Sequence, residues 1–177
     1  MSSNVLDLQP VLIGLRLTLR PLVPEDLSAL FAAASDPLIW EMHPHPDRYK
    51  ESVFREYFAS GIASRGAFAV VGNAAGKIIG SSRYYGLDEE KKSVFIGYTF
   101  LARSYWGGGF NQEMKALMLD HAFCSVDVVR FEVGETNIRS RRALEKIGAS
   151  VVERVELDGK PLVKYQIMKR RGKAEER

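Results

Sequence analysis

FIGYTFLARSYWGGGFNQEMKALMLDHAFCS, residues 95–125, passes from one periodicity to another through three consecutive glycines. Phe95 to Leu101 is apolar and aromatic, with the β-branched Ile96 and Thr99, the composition of a buried strand. Arg103 to Trp106 read as a loop. From Phe110 the spacing turns helical: Phe110, Met114, Leu117, Met118 and His121 share a face, while Asn111, Glu113, Lys115 and Asp120 fall largely elsewhere. A helix therefore starts at Gly107–Gly109. Its first turn carries N–H groups with no intrahelical partner, at the positive end of the helix dipole, and would stabilise a diphosphate without a lysine. The glycines, having no Cβ, let that backbone approach a bulky anion, although they serve equally well as plain punctuation between strand and helix.

Two familiar phosphate motifs do not fit. In a dinucleotide fingerprint a third glycine follows, and here that position is Gln112. GNAAGK, Gly72 to Lys77, is one residue short of a P-loop and lacks its Ser or Thr, and reads as a hairpin turn.

With 177 residues, 46% hydrophobic and 27% charged, the chain suits one globular domain, 1–177, with a core of useful size. No apolar run approaches the ~20 residues that span a bilayer, so no membrane role is expected. MSSNVLDLQP has no basic region followed by an apolar one, which makes the cytoplasm the expected compartment. Cys124 is the only cysteine, so an internal disulfide is excluded; at the end of the apolar helix face it reads as packing. A net charge of +3 helps attract an anion without pointing to nucleic acid.

Val11 to Leu22 alternates Leu15, Leu17 and Leu19 with Arg16, Thr18 and Arg20, the pattern of one half-buried strand. Pro24, Glu25 and Asp26 then open a helix that runs to about Ser35. Asp36 to Tyr49, DPLIWEMHPHPDRY, is a shaped loop; its His43 and His45 suggest either a substrate-facing wall or, less readily between Pro44 and Pro46, a metal site. Glu51 to Ser60 resumes helical spacing. AFAVVG, KIIGSSRYYG and SVFIGYTFL, separated by turns, form an antiparallel meander. The helix from Phe110 follows, then the strand Val128 to Gly134, which after a helical crossover can lie parallel to its predecessor. Asn137 caps a short helix that stops before Gly148, and SVVERVEL-DG-KPLVKYQIM is a hairpin. The charged tail, 170–177, is expected to fray.

The order strand, two helices, three antiparallel strands, helix, strand, helix, hairpin, with YWGGGFNQE at the third helix and NIRSRRALEKIGA at the fourth, resembles the GCN5-related N-acetyltransferase (GNAT) superfamily. It is most similar to the ribosomal-protein alanine acetyltransferase-like (RimJ/RimL-like) branch, where YWG-x-G with an acid in the helix precedes N-x-x-S-x-x-x-x-E-K-x-G. The resemblance spans roughly Leu12 to Met168. It implies an α/β (α+β) fold, a mixed, mostly antiparallel sheet of six or seven strands flanked by about four helices.

It also implies acetyl-CoA as cofactor and, as acceptor, a primary amine: a protein amino terminus, a polyamine or a small amine metabolite. Trp106, Gly107, Gly108, Gly109, Phe110, Asn111 and Gln112 would wrap the pyrophosphate. The edge of Thr99, Phe100, Leu101 and Ala102 would pair with the pantetheine arm, Asn137 would hydrogen-bond it, and Arg141 would either meet a phosphate or stand in solvent. Direct attack on a thioester needs a neutral amine, donors for a developing oxyanion and a proton for the thiolate. A backbone N–H near Leu101 suits the second need and Ser140 the third.

Departures from the family pattern matter. The branch commonly reads E-I-G-Y where this chain has Phe95, so the usual base is missing; Glu132 and Glu135, then Glu153 and Glu156, are the replacements nearest in sequence. Leu144 stands where many relatives place a tyrosine acid, Trp106 replaces a basic residue and Asn111 a small one. The amine would enter beside Trp40, His43, His45, Tyr84 and Tyr98. An acyl-CoA-binding module with little catalysis is the alternative, nucleic-acid binding is not expected, and relatives often pair as homodimers.

Overall fold

The computed structural model describes residues 4–170, so all but the first residue of the expected frayed tail lies outside the described residues. Eight strands form one sheet, in the order β1-β2-β3-β4-β5-β6-β8-β7. They are β1 (Leu12–Ile13), β2 (Leu17–Pro21), β3 (Ala67–Gly72), β4 (Lys77–Asp88), β5 (Ser93–Leu101), β6 (Val128–Gly134), β7 (Ser150–Leu157) and β8 (Lys160–Met168). Four α-helices accompany them among the described residues: α1 (Leu27–Ala34), α2 (Glu51–Ser64), α3 (Phe110–Ala122) and α4 (Ile138–Lys146). All strand pairs are antiparallel except β5–β6. The fold class is the mixed, mostly antiparallel sheet with flanking helices that the resemblance implies.

The count of eight, rather than six or seven, comes largely from the first strand, which breaks in two. Gly14 N–H closes a turn onto the Leu17 carbonyl (2.8 Å), and the Glu113 carboxylate of α3 accepts the N–H groups of Leu15 (2.8 Å) and Arg16 (3.0 Å). Those amides thus leave the ladder, and Leu15 is 82% exposed where simple alternation would bury it. Alternation fails here because the carboxylate that takes these amides lies almost a hundred residues away in the chain.

The sheet separates two cores. Side chains of β3 alternate between them, as a two-residue period requires: Phe68 and Val70 pack with Met114 and Met118 of α3, while Ala67 and Ala69 pack with Leu30, Trp40, Phe54 and Phe58 of the α1–α2 side. Burial of these large side chains on both faces fixes the sheet's position between helices.

Candidate active site

β5 and β6 pair over only three positions, Ser93–Phe95 against Val128–Arg130, and then diverge. A cleft of about 920 Å³ fills the fork, a volume suited to a small-molecule site. β5 carries a bulge there. Ser81 pairs with Phe100 and Arg83 with Gly97, so Ser82 alone faces both Tyr98 and Thr99. Tyr98 adopts φ 54°, uncommon for a residue with a side chain, and its carbonyl accepts the Tyr57 hydroxyl of α2.

At the mouth of the fork, Gly107 (φ 75°) and Gly109 (φ 82°) adopt left-handed conformations open to glycine. The Trp106 N–H is used on the Arg103 carbonyl (3.0 Å) and the Glu113 N–H on the Gly109 carbonyl (3.0 Å). Between them, the six N–H groups of residues 107–112 find no acceptor among the described residues. Trp106, Gly107 and Asn111 line the cleft. Gly108, Gly109, Phe110 and Gln112 do not: Phe110 packs edge-on against Tyr105 (5.0 Å), and the outer side of Gly109 looks toward the Arg16 guanidinium. Arg16 thus stands beside the glycine loop, a cation that linear spacing gave no reason to place there.

The expected pairing edge on β5 is shorter than the sequence implied. Thr99, Phe100 and Leu101 line the cleft and Ala102 does not, because its N–H is spent on the Ile79 carbonyl (2.8 Å). The Leu101 carbonyl is also taken, by the Trp106 indole N–H (2.9 Å). The Arg139 guanidinium lies 3.8 Å from the centre of that indole ring, a cation–π contact closing one wall.

α4 supplies the opposite wall. Asn137 is buried and caps the helix, its Oδ1 accepting the Ser140 N–H (3.2 Å), which leaves its amide NH₂ as a donor. Asn137, Ser140 and Leu144 all line the cleft. Arg141 does not; its Nε donates to the Tyr165 hydroxyl (3.0 Å) and its Nη1 to the Glu135 carbonyl (3.1 Å), so the cations of α4 that face the cleft are Arg139, Arg142 and Lys146. Helical rotation turns residue 141 away from the face shared by 139 and 142. Glu135 is likewise removed from the proposed base position: its carboxylate holds Arg154 of β7 (2.8 Å), and it does not line the cleft, whereas Glu132 does. Glu153 is engaged with Lys164 across the terminal hairpin (3.3 Å) and, like Glu156, stands apart from the cleft.

Of the residues expected to meet the amine, Trp40, His43, His45 and Tyr98 come together at the cleft, and Tyr84 is elsewhere. Successive residues of a strand face opposite ways, so Tyr84 is buried beneath the sheet with its hydroxyl on the Met118 carbonyl, and Tyr85 lines the cleft instead. His43 stacks edge-on against Trp40 (5.5 Å), and its Nδ1 accepts the His45 N–H (3.0 Å). Burial, reinforced by Arg48, His45 and Lys160, lowers its pKa to about 3, so the ring is neutral with its proton on Nε2, a donor rather than a base. Arg48 lies over the Tyr57 ring (4.7 Å) and also lines the cleft.

Lys115 is the functional-looking residue that the sequence concealed. Helical spacing sets it apart from the apolar face of α3, yet it is 6% exposed, lines the cleft, and donates from Nζ to Thr99 Oγ1 (2.7 Å) within 5.9 Å of the Phe131 ring. Thr99 Oγ1 in turn shares a hydrogen bond with Ser82 (2.8 Å). With no carboxylate to balance it, burial alone lowers the Lys115 pKa to about 7. The signal missed was the opening of the sheet: an apolar face read on one helix does not reveal a gap in the layer above it.

Comparison with known proteins agrees with this architecture. The family described as acetyltransferase (GNAT) domain matches residues 16–150. An uncharacterized N-acetyltransferase, p20, of Bacillus licheniformis is 30% identical over 124 residues, 66% of this chain and 68% of that protein. Among solved structures, a putative acetyltransferase from T. thermophilus is similar with a TM-score of 0.73 and 25% identity, covering 89% of this chain and 88% of that one. RimJ of Mycobacterium smegmatis, in complex with CoA-disulfide, shares the fold with a TM-score of 0.69 and 20% identity, covering 90% of this chain and 87% of the other.

Proposed function

Because the chain belongs to the GNAT acetyltransferase family, we propose that it moves an acetyl group from acetyl-CoA to a primary amine by direct attack in a ternary complex, in the manner of the RimJ/RimL-like branch. The observation that carries this is the run of unpaired N–H groups at 107–112, set at the mouth of a fork between diverging strands. Such a run suits a diphosphate, and RimJ of M. smegmatis, with the same fold, was solved with a CoA derivative. Arg139, Arg142 and Lys146 add positive charge along the cleft for the remaining phosphate.

Bound there, acetyl-CoA supplies an activated acetyl group. The chain's own residues orient it and manage protons. The Thr99–Leu101 edge and the Asn137 amide would hold the pantetheine arm, and a backbone N–H near Leu101 would be the donor to the acetyl oxygen. Two groups that can protonate the departing thiolate line the cleft, Ser140 and Lys115, while Leu144 has no proton to give. Glu132, which lines the cleft from β6, stands in for the glutamate absent at Phe95; an amine that arrives deprotonated needs no base, since such help is typically worth only about 10²- to 10⁴-fold. The setting proposed is the cytoplasm, with a homodimer as the assembly to test by light scattering.

A second reading, an acyl-CoA-binding module with faded catalysis, is favoured by Phe95 and Leu144. Calorimetric titration with acetyl-CoA, followed by thiol release over a panel of amines, separates the two. Binding with turnover supports the enzyme, binding without turnover on any amine supports the module, and absence of binding refutes both.

A further inference from the structure

We propose that the acceptor amine also carries a carboxylate, and that the guanidinium of Arg48 receives it. This rests on the acetyltransferase reading and names the chemical class of its acceptor. Arg48 lies on the acceptor loop, over Tyr57 at 4.7 Å and near Trp40 (5.7 Å) and Tyr98 (5.9 Å). Aromatic faces hold the planar cation in place but leave its forked edge free, and among the described residues it makes no ion pair or side-chain hydrogen bond. The neighbouring acids are already committed: Asp47 to Lys50 (2.9 Å), Glu51 to Arg55 (2.7 Å), Glu41 to Arg139 (3.7 Å) and Asp36 to Arg103.

Asp158 of the terminal hairpin also lines the cleft, but the charges drawn closest around Arg48 are cationic. Arg83 of β4 is buried behind the cleft wall, 3.7 Å from the Tyr98 ring centre, with Nη2 donating to the Tyr57 carbonyl and Ser60 Oγ, and its charge acts on Arg48. Lys160, from the terminal hairpin, reaches the Pro44 carbonyl (2.6 Å), and His43 and His45 complete the wall. Arg48 and Lys160 both act, with burial, to lower the pKa values of His43 and His45, as two cations on one wall should. A second ammonium entering this half of the cleft would meet like charges in a partly dry site, whereas a carboxylate would gain a forked guanidinium and the Nε2–H of His43. The Glu132 carboxylate lines the same cleft from β6, close enough to Tyr85 to act on its hydroxyl. An acceptor with its amine toward Glu132 and its carboxylate toward Arg48 matches the charge at both ends; a polyamine matches one.

The experiment measures thiol release at saturating acetyl-CoA with the common α- and ω-amino acids, their amides, their decarboxylated amines and spermidine, using wild type, Arg48→Met and Arg48→Lys. The expected result is at least one amino acid favoured over its own amide by roughly 10- to 100-fold in kcat/KM, the range for a hydrogen bond to a charged group. That ratio should collapse toward one in Arg48→Met and partly recover in Arg48→Lys. Preference for amides or spermidine, or a ratio indifferent to Arg48→Met, overturns the proposal while leaving the transferase reading intact. Should no amine turn over although acetyl-CoA binds, the transferase reading fails. The carboxylate site is then judged by titrating the same amino acids and amides into CoA-loaded protein: Arg48-dependent binding of a carboxylate supports it, and no carboxylate binding overturns it.

Discussion

Replacing Lys115 by methionine should stabilise this protein, and by an amount that depends on pH in a specified direction. The perturbation keeps most of the lysine stem and removes the ammonium. Burial lowers the Lys115 pKa from 10.5 to about 7, a difference of about 5 kcal/mol at ~1.4 kcal/mol per unit. The unfolded chain holds the proton up to about pH 10.5, and the folded chain only up to about pH 7. Between those values the unfolded state binds more protons, so wild-type stability rises with pH through that window. The penalty is therefore fully present below about pH 7 and fades toward pH 10.5. Methionine escapes it, at the loss of one hydrogen bond to Thr99 worth about 1 kcal/mol. Urea unfolding of both proteins should show Lys115→Met more stable by roughly 3–4 kcal/mol at pH 6, the margin shrinking by about 1.4 kcal/mol per pH unit above pH 7 and vanishing near pH 10. A pH-independent difference, or a less stable variant at pH 6, would refute the premise that an unpaired ammonium is buried in the fork.

Gly107→Val puts a β-branched side chain at φ 75° beside the unpaired amides; it should cost about 1–3 kcal/mol in stability and weaken acetyl-CoA at least tenfold by calorimetry, and undiminished affinity would detach the loop from the cofactor. Ser140→Ala keeps the Asn137 cap, which uses the Ser140 backbone, so turnover should fall far more than cofactor affinity; unchanged turnover would assign the thiolate's proton to Lys115 or solvent. Glu113→Ala releases the N–H groups of Leu15 and Arg16 and should lower stability by about 1–3 kcal/mol, visible as a drop in Tm, with faster amide exchange at residues 14–16; unaltered exchange there would show that the turn forms without the carboxylate.

Most elements were legible because each rests on a local cause. The helix at Phe110 follows from glycines and a 3.6-residue period, the Asn137 cap from a side-chain acceptor, the terminal hairpin from Asp158–Gly159. What the sequence hid is what depends on distant chain. Whether Tyr84 or Tyr85 faces the cleft is a question of strand parity, set by the packing of Tyr84 against α3 and not by composition, since both are tyrosines. Arg141 reads as a solvent arginine or a phosphate ligand, and becomes a structural donor only because Tyr165 of β8 lies beneath it. Glu135 and Arg154 meet only after the last hairpin folds back. Lys115 required knowing that two neighbouring strands part.

That parting has a mechanical origin that joins both halves of the site. β6 is held along its whole length by β8, from Val128 opposite Met168 to Gly134 opposite Leu162, and cannot bend to follow a neighbour. β5 does bend, because the bulge opposite Ser82 inserts a residue and increases local twist. A straight strand beside a bent one must lose its ladder, and it does so after Phe95 and Arg130. The same bulge sends adjacent side chains to different tasks. Tyr98, in a conformation secured by the Tyr57 hydroxyl, covers Arg83 on the acceptor side, while Thr99 meets Lys115 under the fork. Tyr57 also carries the Arg48 guanidinium on its ring. One side chain of α2 thus secures both the irregularity that opens the cleft and the Arg48 guanidinium that lines it, which ties the geometry of its two halves to a single packing decision.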